Sequence, residues 1–144
     1  MRNVLGLMAA TILLLPAAAM SQSTLLVSPS EVPWVESRSR PGSKHAVLEG
    51  NPSMPGTFML LAKLPANYEV APHYHAATER GVVIAGGIYV GMGTSGDRAK
   101  VKHLPAGSVF VFPSLTPHYY FTTEETMLQI VSTGPFNIIP AQAP

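Results

Sequence analysis

An all-β sandwich or barrel is the architecture expected of this 144-residue chain. Past Gly42, short runs rich in β-branched and aromatic residues recur, and Pro and Gly separate them. Beyond the N-terminal segment, no stretch of ten or more residues keeps a 3.6-residue apolar period. Closely spaced short strands of that kind pack as sandwiches or barrels, so helix is expected to be nearly absent.

Residues 1–21 stand apart from this pattern. Arg2 opens the chain, Val4 to Leu15 form an apolar run of twelve, and Pro16 and small residues follow. Charged start, apolar middle and small-residue cleavage zone are the marks of a cleavable Sec-type signal peptide. The run is short of the ~20 residues a bilayer span needs. Cleavage after Ala19 or after Ser21 satisfies the small-residue rule equally, and no cysteine is present to carry a lipid. The expected mature protein is therefore periplasmic or secreted, with no stable membrane anchor.

Removing Arg2 from the nine basic residues leaves eight against eight acidic ones. A neutral mature chain has no electrostatic case for nucleic acid or an anionic membrane surface. Arg98, Lys100 and Lys102 alternate along a strand and read as a solvated face. Without cysteines the exported chain does without disulfides, and its length suffices to bury a modest core.

Residues 22–42 read as an irregular arm interrupted by Pro29, Pro33 and Pro41, with Trp34 packing it onto the body. Residues 43–140 form the β domain. Its strand candidates are "KHAVLEG", "TFMLLAKL", "YEVAPHYH", "GVVIAG", "IYVGM", "AKVKHL", "SVFVF", "HYYFTT", "TMLQIVS" and "FNII". Turn signals between them include "LPANY", "AGG", "GTSGD", "LPAG" and "PSLTP". Residues 141–144 read as a flexible tail.

Two of the five histidines, His73 and His75, sit one residue apart in the third run. A strand projects such positions from one face with Cα atoms ~6.6 Å apart. Two imidazoles can then converge on one ion at ~2.1 Å. Glu79 joins them only if the chain turns near Ala76 to Thr78 and opens the next strand beside the first. On its own the pair is a weak signal, since paired histidines on a strand are more often ordinary, partly exposed polar residues. Downstream, Gly107, Pro113 and His118 place one more imidazole at the head of a strand.

These residues resemble the cupin superfamily, the RmlC-like jelly rolls, which pair G(x)5HxH(x)3–4E(x)6G with G(x)5PxGxxH(x)3N. The first motif is met at His73, His75, Glu79 and Gly86, and the second at Gly107, Pro113 and His118. Asn67, Leu115 and Thr122 stand where the pattern has glycine, glycine and asparagine. The likeness covers roughly residues 60–131, and the chain is similar to small single-domain cupins of exported bacterial type. It implies a conical antiparallel β-barrel with one divalent metal held by His73, His75, Glu79 and His118, and by default a homodimer. By the same analogy manganese or iron is favoured, with zinc, nickel, cobalt and copper open.

Three imidazoles and one carboxylate suit a first-row divalent ion and leave positions for water or substrate. Tyr120 shares a strand face with His118 and is a candidate catalytic or orienting group, with core packing as its plainer role. Gln129, a lone amide in an apolar run, is the second catalytic candidate and faces either the metal pocket or water. Arg80 falls on the face opposite Glu79, and His45 and His103 match no motif. Phe58, Met59 and Tyr68 are candidates to line an apolar pocket. No serine triad, phosphate loop or cysteine nucleophile is readable, so any chemistry leans on the metal. The expected function is a small metalloenzyme of dioxygenase, isomerase or decarboxylase type, acting on a small oxygen-bearing organic molecule. The alternatives are a non-catalytic metal or small-ligand binding module and a storage-type cupin without metal.

Overall fold

Strand by strand, side chains alternate between a shared interior and solvent, and that alternation builds two facing sheets. A computed structural model of the protein describes residues 24–142. The signal-peptide reading of residues 1–21 lies outside the described residues. After a 3-10 turn at Pro29–Glu31 come β1 (Val35–Glu36), β2 (Lys44–Glu49), β3 (Gly56–Leu64), β4 (Glu69–Tyr74), β5 (Glu79–Ala85) and β6 (Gly87–Met92). They are followed by β7 (Val101–Pro105), β8 (Val109–Phe112), β9 (His118–Phe121), β10 (Thr126–Gly134) and β11 (Ile139–Pro140). All ten strand candidates therefore appear, although "FNII" contributes only its final residue, Ile139, to β11.

One sheet runs β1-β2-β3-β10-β5-β8 and the other β11-β4-β9-β6-β7, with every pairing antiparallel. The jelly roll expected from the motifs is present. Its hydrogen bonds leave two facing sheets rather than one closed ring of strands. The arm adds an edge strand, β1, to the first sheet, and Trp34 lies under the ammonium of Lys63 at 4.9 Å.

Inward positions of both sheets interdigitate. Leu64, Val83, Phe110 and Leu128 from the first sheet meet Val70, Ile88, Val90 and Tyr120 from the second. Each large apolar side chain removed from water in this way stabilises the fold by about 1.5–3 kcal/mol. Close packing also explains Gly81, since a Cβ there would sit 2.1 Å from the ring of Phe110.

The motif departures are accommodated locally. Asn67 takes a left-handed conformation, φ 56°, that asparagine tolerates. Thr122 accepts a hydrogen bond from the Tyr68 amide at 3.0 Å and donates one to the Pro65 carbonyl at 2.6 Å, closing the same turn. Leu115 is also left-handed, φ 59°, at a cost of about 1–2 kcal/mol. Its amide donates to the carbonyl of His75 at 2.8 Å, which ties the loop before β9 to the end of β4.

Buried polar side chains complete the inventory. Ser43, Thr122, Thr126 and Ser132 each donate a hydroxyl to a backbone carbonyl at 2.6–2.9 Å. The remaining buried polar residues are His73, His75, Glu79 and His118, and these are not satisfied in the same way.

Candidate metal centre

A β-bulge brings the first histidines inward. Pairing of β4 with β9 shifts between Val70 and His73, so both of these face the interior although three positions apart. Pro72, which has no amide to donate, sits inside the irregularity. His73 then sits beside His118 on the neighbouring strand β9 of the same sheet, directly paired in register. The chain turns after His75, and Glu79, a residue 2% exposed, opens β5. The turn needed to bring Glu79 back is thus present.

One ring nitrogen from each of His73, His75 and His118 lies within 4.8 Å of the others, a group able to hold a metal ion. Glu79 Oε2 is 2.9 Å from His75 Nε2 and 3.7 Å from His118 Nε2. The four residues are 0–2% exposed.

Tautomers follow from the outer hydrogen bonds. His73 Nδ1 lies 2.8 Å from the Ala71 carbonyl, His75 Nδ1 2.8 Å from that of Asn137, and His118 Nδ1 3.0 Å from that of Thr116. A carbonyl only accepts, so each Nδ1 carries the proton and each neutral ring turns an Nε2 lone pair inward. All three Nε2 atoms and Glu79 Oε2 are buried without a hydrogen-bond partner. The 2.9 Å approach of Nε2 to Oε2 therefore sets two acceptors against each other. It is repulsive unless a proton or a cation lies between them.

Electrostatics keep the His73 and His118 rings neutral. Burial, reinforced by His118, pulls the His73 imidazole down to about 3. Burial also lowers His118, against the pull of Glu79. For Glu79 burial acts upward, but a proton shared with His75 and the charge of Arg40 outweigh it and hold the carboxyl below its ordinary range. Neutral imidazoles beside an ionised carboxylate are the ligand state a divalent ion requires.

Two aromatic rings fix the imidazoles. Phe112 stacks on His118 at 3.9 Å, and Phe136 stacks on His75 at 4.1 Å. Neither was apparent in the sequence, because both lie in runs that read as plain strand and the stack depends on long-range pairing.

Tyr120 is buried beside the cluster, its ring 6.2 Å from that of His73, and its hydroxyl accepts from Arg40 at 2.7 Å. Gln129 takes the outer of the two orientations open to it. Ile130 and Leu128 take the inward positions of β10, so Gln129 points to the outer face, where its amide lies 3.1 Å from the Met59 sulfur. It does not face the metal pocket, and Met59 goes outward with it. Phe58 is fully buried against Phe136, and Tyr68 packs on the core. Arg80 is exposed, and exposed His103 stacks on Tyr89 at 4.5 Å.

A cavity of about 920 Å³ opens beside the cluster, bordering it through Phe136 and Asn137. Leu60, Ala62, Leu64 and Ile130 form its floor, and the arm supplies Arg40 at its rim. The imidazoles themselves do not line it.

The family model "Cupin" matches residues 55–138. The chain belongs to the cupin family. The rice (Oryza sativa subsp. japonica) protein "Germin-like protein 2-4" is 40% identical over 67 residues, which are 46% of this chain and 28% of that one. This chain thus spans under a third of that relative's length. Acetylacetone dioxygenase from Acinetobacter johnsonii superposes with a TM-score of 0.69 at 18% identity, covering 89% of this chain and 85% of that one. The polyketide cyclase RemF from Streptomyces resistomycificus gives 0.68 at 16% identity, covering 85% and 88%. At these identities the structural likeness concerns the fold.

Proposed function

We propose that the protein is a small metal-dependent enzyme whose divalent ion is held by His73, His75, Glu79 and His118. The observation that carries the reading is the convergence of three imidazole nitrogens within 4.8 Å of one another, with Glu79 Oε2 2.9 Å from one and 3.7 Å from another, all buried without a hydrogen-bond partner. Each such atom costs about 1–3 kcal/mol when left unsatisfied, and one cation between them removes that cost for all four. Donor chemistry fits the group, since imidazole and carboxylate together suit first-row divalent ions from manganese to zinc. Family analogy favours manganese or iron. When bound, such an ion polarises an oxygen of the substrate or activates a small oxygen ligand.

The chain's own residues then position and shield. Phe112 and Phe136 hold two imidazole planes, the Ala71, Asn137 and Thr116 carbonyls fix the tautomers, and the apolar floor of the cavity excludes water from the ligand's body. Dioxygenase and cyclase relatives of similar fold support chemistry on small oxygen-bearing organic molecules. A non-catalytic metal or ligand-binding module would use the same ligand set, and turnover separates the two. Protein loaded singly with manganese, iron, cobalt, nickel, copper or zinc is to be assayed against catechols, oxo-acids and sugar derivatives. Turnover with at least one metal, lost on chelation, is expected. Tight binding of metal and ligand with no turnover under any metal would leave the binding module instead.

A further inference from the structure

The loop between β1 and β2 places one cation whose only part in the metal reading is its distant pull on Glu79. The Arg40 carbonyl is held by the Ser43 amide at 3.1 Å and the Ser43 hydroxyl at 2.7 Å, which anchors the backbone. Its guanidinium gives one N–H to the Tyr120 hydroxyl at 2.7 Å. Its Nε is buried and donates to nothing. Among the described residues no carboxylate lies within ion-pair range of Arg40.

A guanidinium has five donors in a planar fork suited to a carboxylate. Leaving one of them dry and unpaired is costly unless a ligand takes it. The surroundings favour an anion. Arg40, Lys44 and His45 are the titratable residues lining the cavity, and no Asp or Glu does. Lys44 is already spoken for by Glu36 at 3.1 Å on the surface. Below Arg40 the floor is aliphatic, which matches an organic body and offers inorganic phosphate nothing. Tyr120 connects the two halves of the site, since its hydroxyl meets Arg40 while its ring lies edge-on to His73.

We propose that Arg40 is the anion-binding residue of this cavity and that the ligand is a small organic carboxylate with an apolar body. The carboxylate docks on the Arg40 fork and the body lies over Leu60, Ala62, Leu64 and Ile130. This names a substrate class for the site described above and in that respect rests on the metal reading, but capture of the acid group needs no metal.

Calorimetric titration of the protein, with and without bound divalent metal, tests the proposal with benzoate, benzamide and inorganic phosphate as probes. Benzoate is expected to bind in both states, and benzamide about tenfold more weakly or worse. Arg40→Gln is expected to lose about tenfold or more in benzoate affinity with metal content unchanged, and Arg40→Lys to fall between the two. Equal affinity for benzoate and benzamide in the native protein overturns the proposal, whatever the variants do. So does benzoate binding untouched by Arg40→Gln, or phosphate binding as tightly as benzoate. Arg40-dependent benzoate binding by a protein that takes up no metal supports the anion site and defeats the metal reading alone.

Discussion

His75→Ala is expected to abolish stoichiometric metal binding while the β-rich circular dichroism stays near native. His75 stands just past β4, between the Phe136 ring at 4.1 Å and Glu79 Oε2 at 2.9 Å. Its removal takes one of three imidazoles and the one nearest the carboxylate. Losing an outer partner of a metal ligand already weakens affinity by about 10–100-fold. Loss of the ligand itself is expected to exceed that. The fold survives because its apolar contacts lie elsewhere, among Leu64, Val83, Ile88 and Leu128. The change also removes one side of an acceptor–acceptor contact that destabilises the metal-free state. His103→Ala is the matched control, since that ring is exposed on Tyr89 and should leave metal content unchanged. Metal content by elemental analysis and far-ultraviolet circular dichroism check both variants. One retained equivalent in His75→Ala would contradict the assignment.

Acid is expected to strip the metal and destabilise the protein together. His73 titrates near 3 when folded and near 6.5 when unfolded, and His118 is lowered in the same direction. The unfolded chain therefore binds more protons below about 6.5, so stability falls as pH drops from there toward 3. Glu79, also lowered, adds stability that disappears as pH falls below 4.5 and through its folded value. All three contributions share one sign. Bound metal adds to stability by mass action, and protons compete for the same Nε2 atoms, so its contribution disappears over the same range. Thermal unfolding followed between pH 8 and pH 4 is expected to give a Tm that falls with pH, more steeply in metal-loaded than in metal-free protein. A Tm flat across that range in both forms would show that these groups are not buried neutral histidines beside an ionised carboxylate.

What the sequence carried well was periodic or local. Two-residue alternation and Pro/Gly punctuation set out ten strands, and the motif resemblance pointed to His73, His75 and His118, whose ring nitrogens lie within 4.8 Å of one another in the structure. Asn67 in place of glycine was a readable exception, because asparagine shares glycine's tolerance of positive φ. Gln129 was harder, since a single register decides its face and Met59 offered it a partner on the outside. Arg40 was invisible as a site residue. Its arm is polar and proline-rich, and only the folding of that arm over β2 and β3 carries the guanidinium to Tyr120, eighty positions away. Phe136 was hidden similarly, because its stack on His75 depends on how the segment after β10 crosses the end of β4.

Elemental analysis of the protein purified from its own host, without added metal, addresses the central claim most directly. One equivalent of a first-row divalent ion per chain is predicted, released by chelation and absent when His73, His75 and His118 are all replaced by alanine. A native protein that carries no such ion and takes none up on addition, or one whose ion persists in the triple variant, would contradict it.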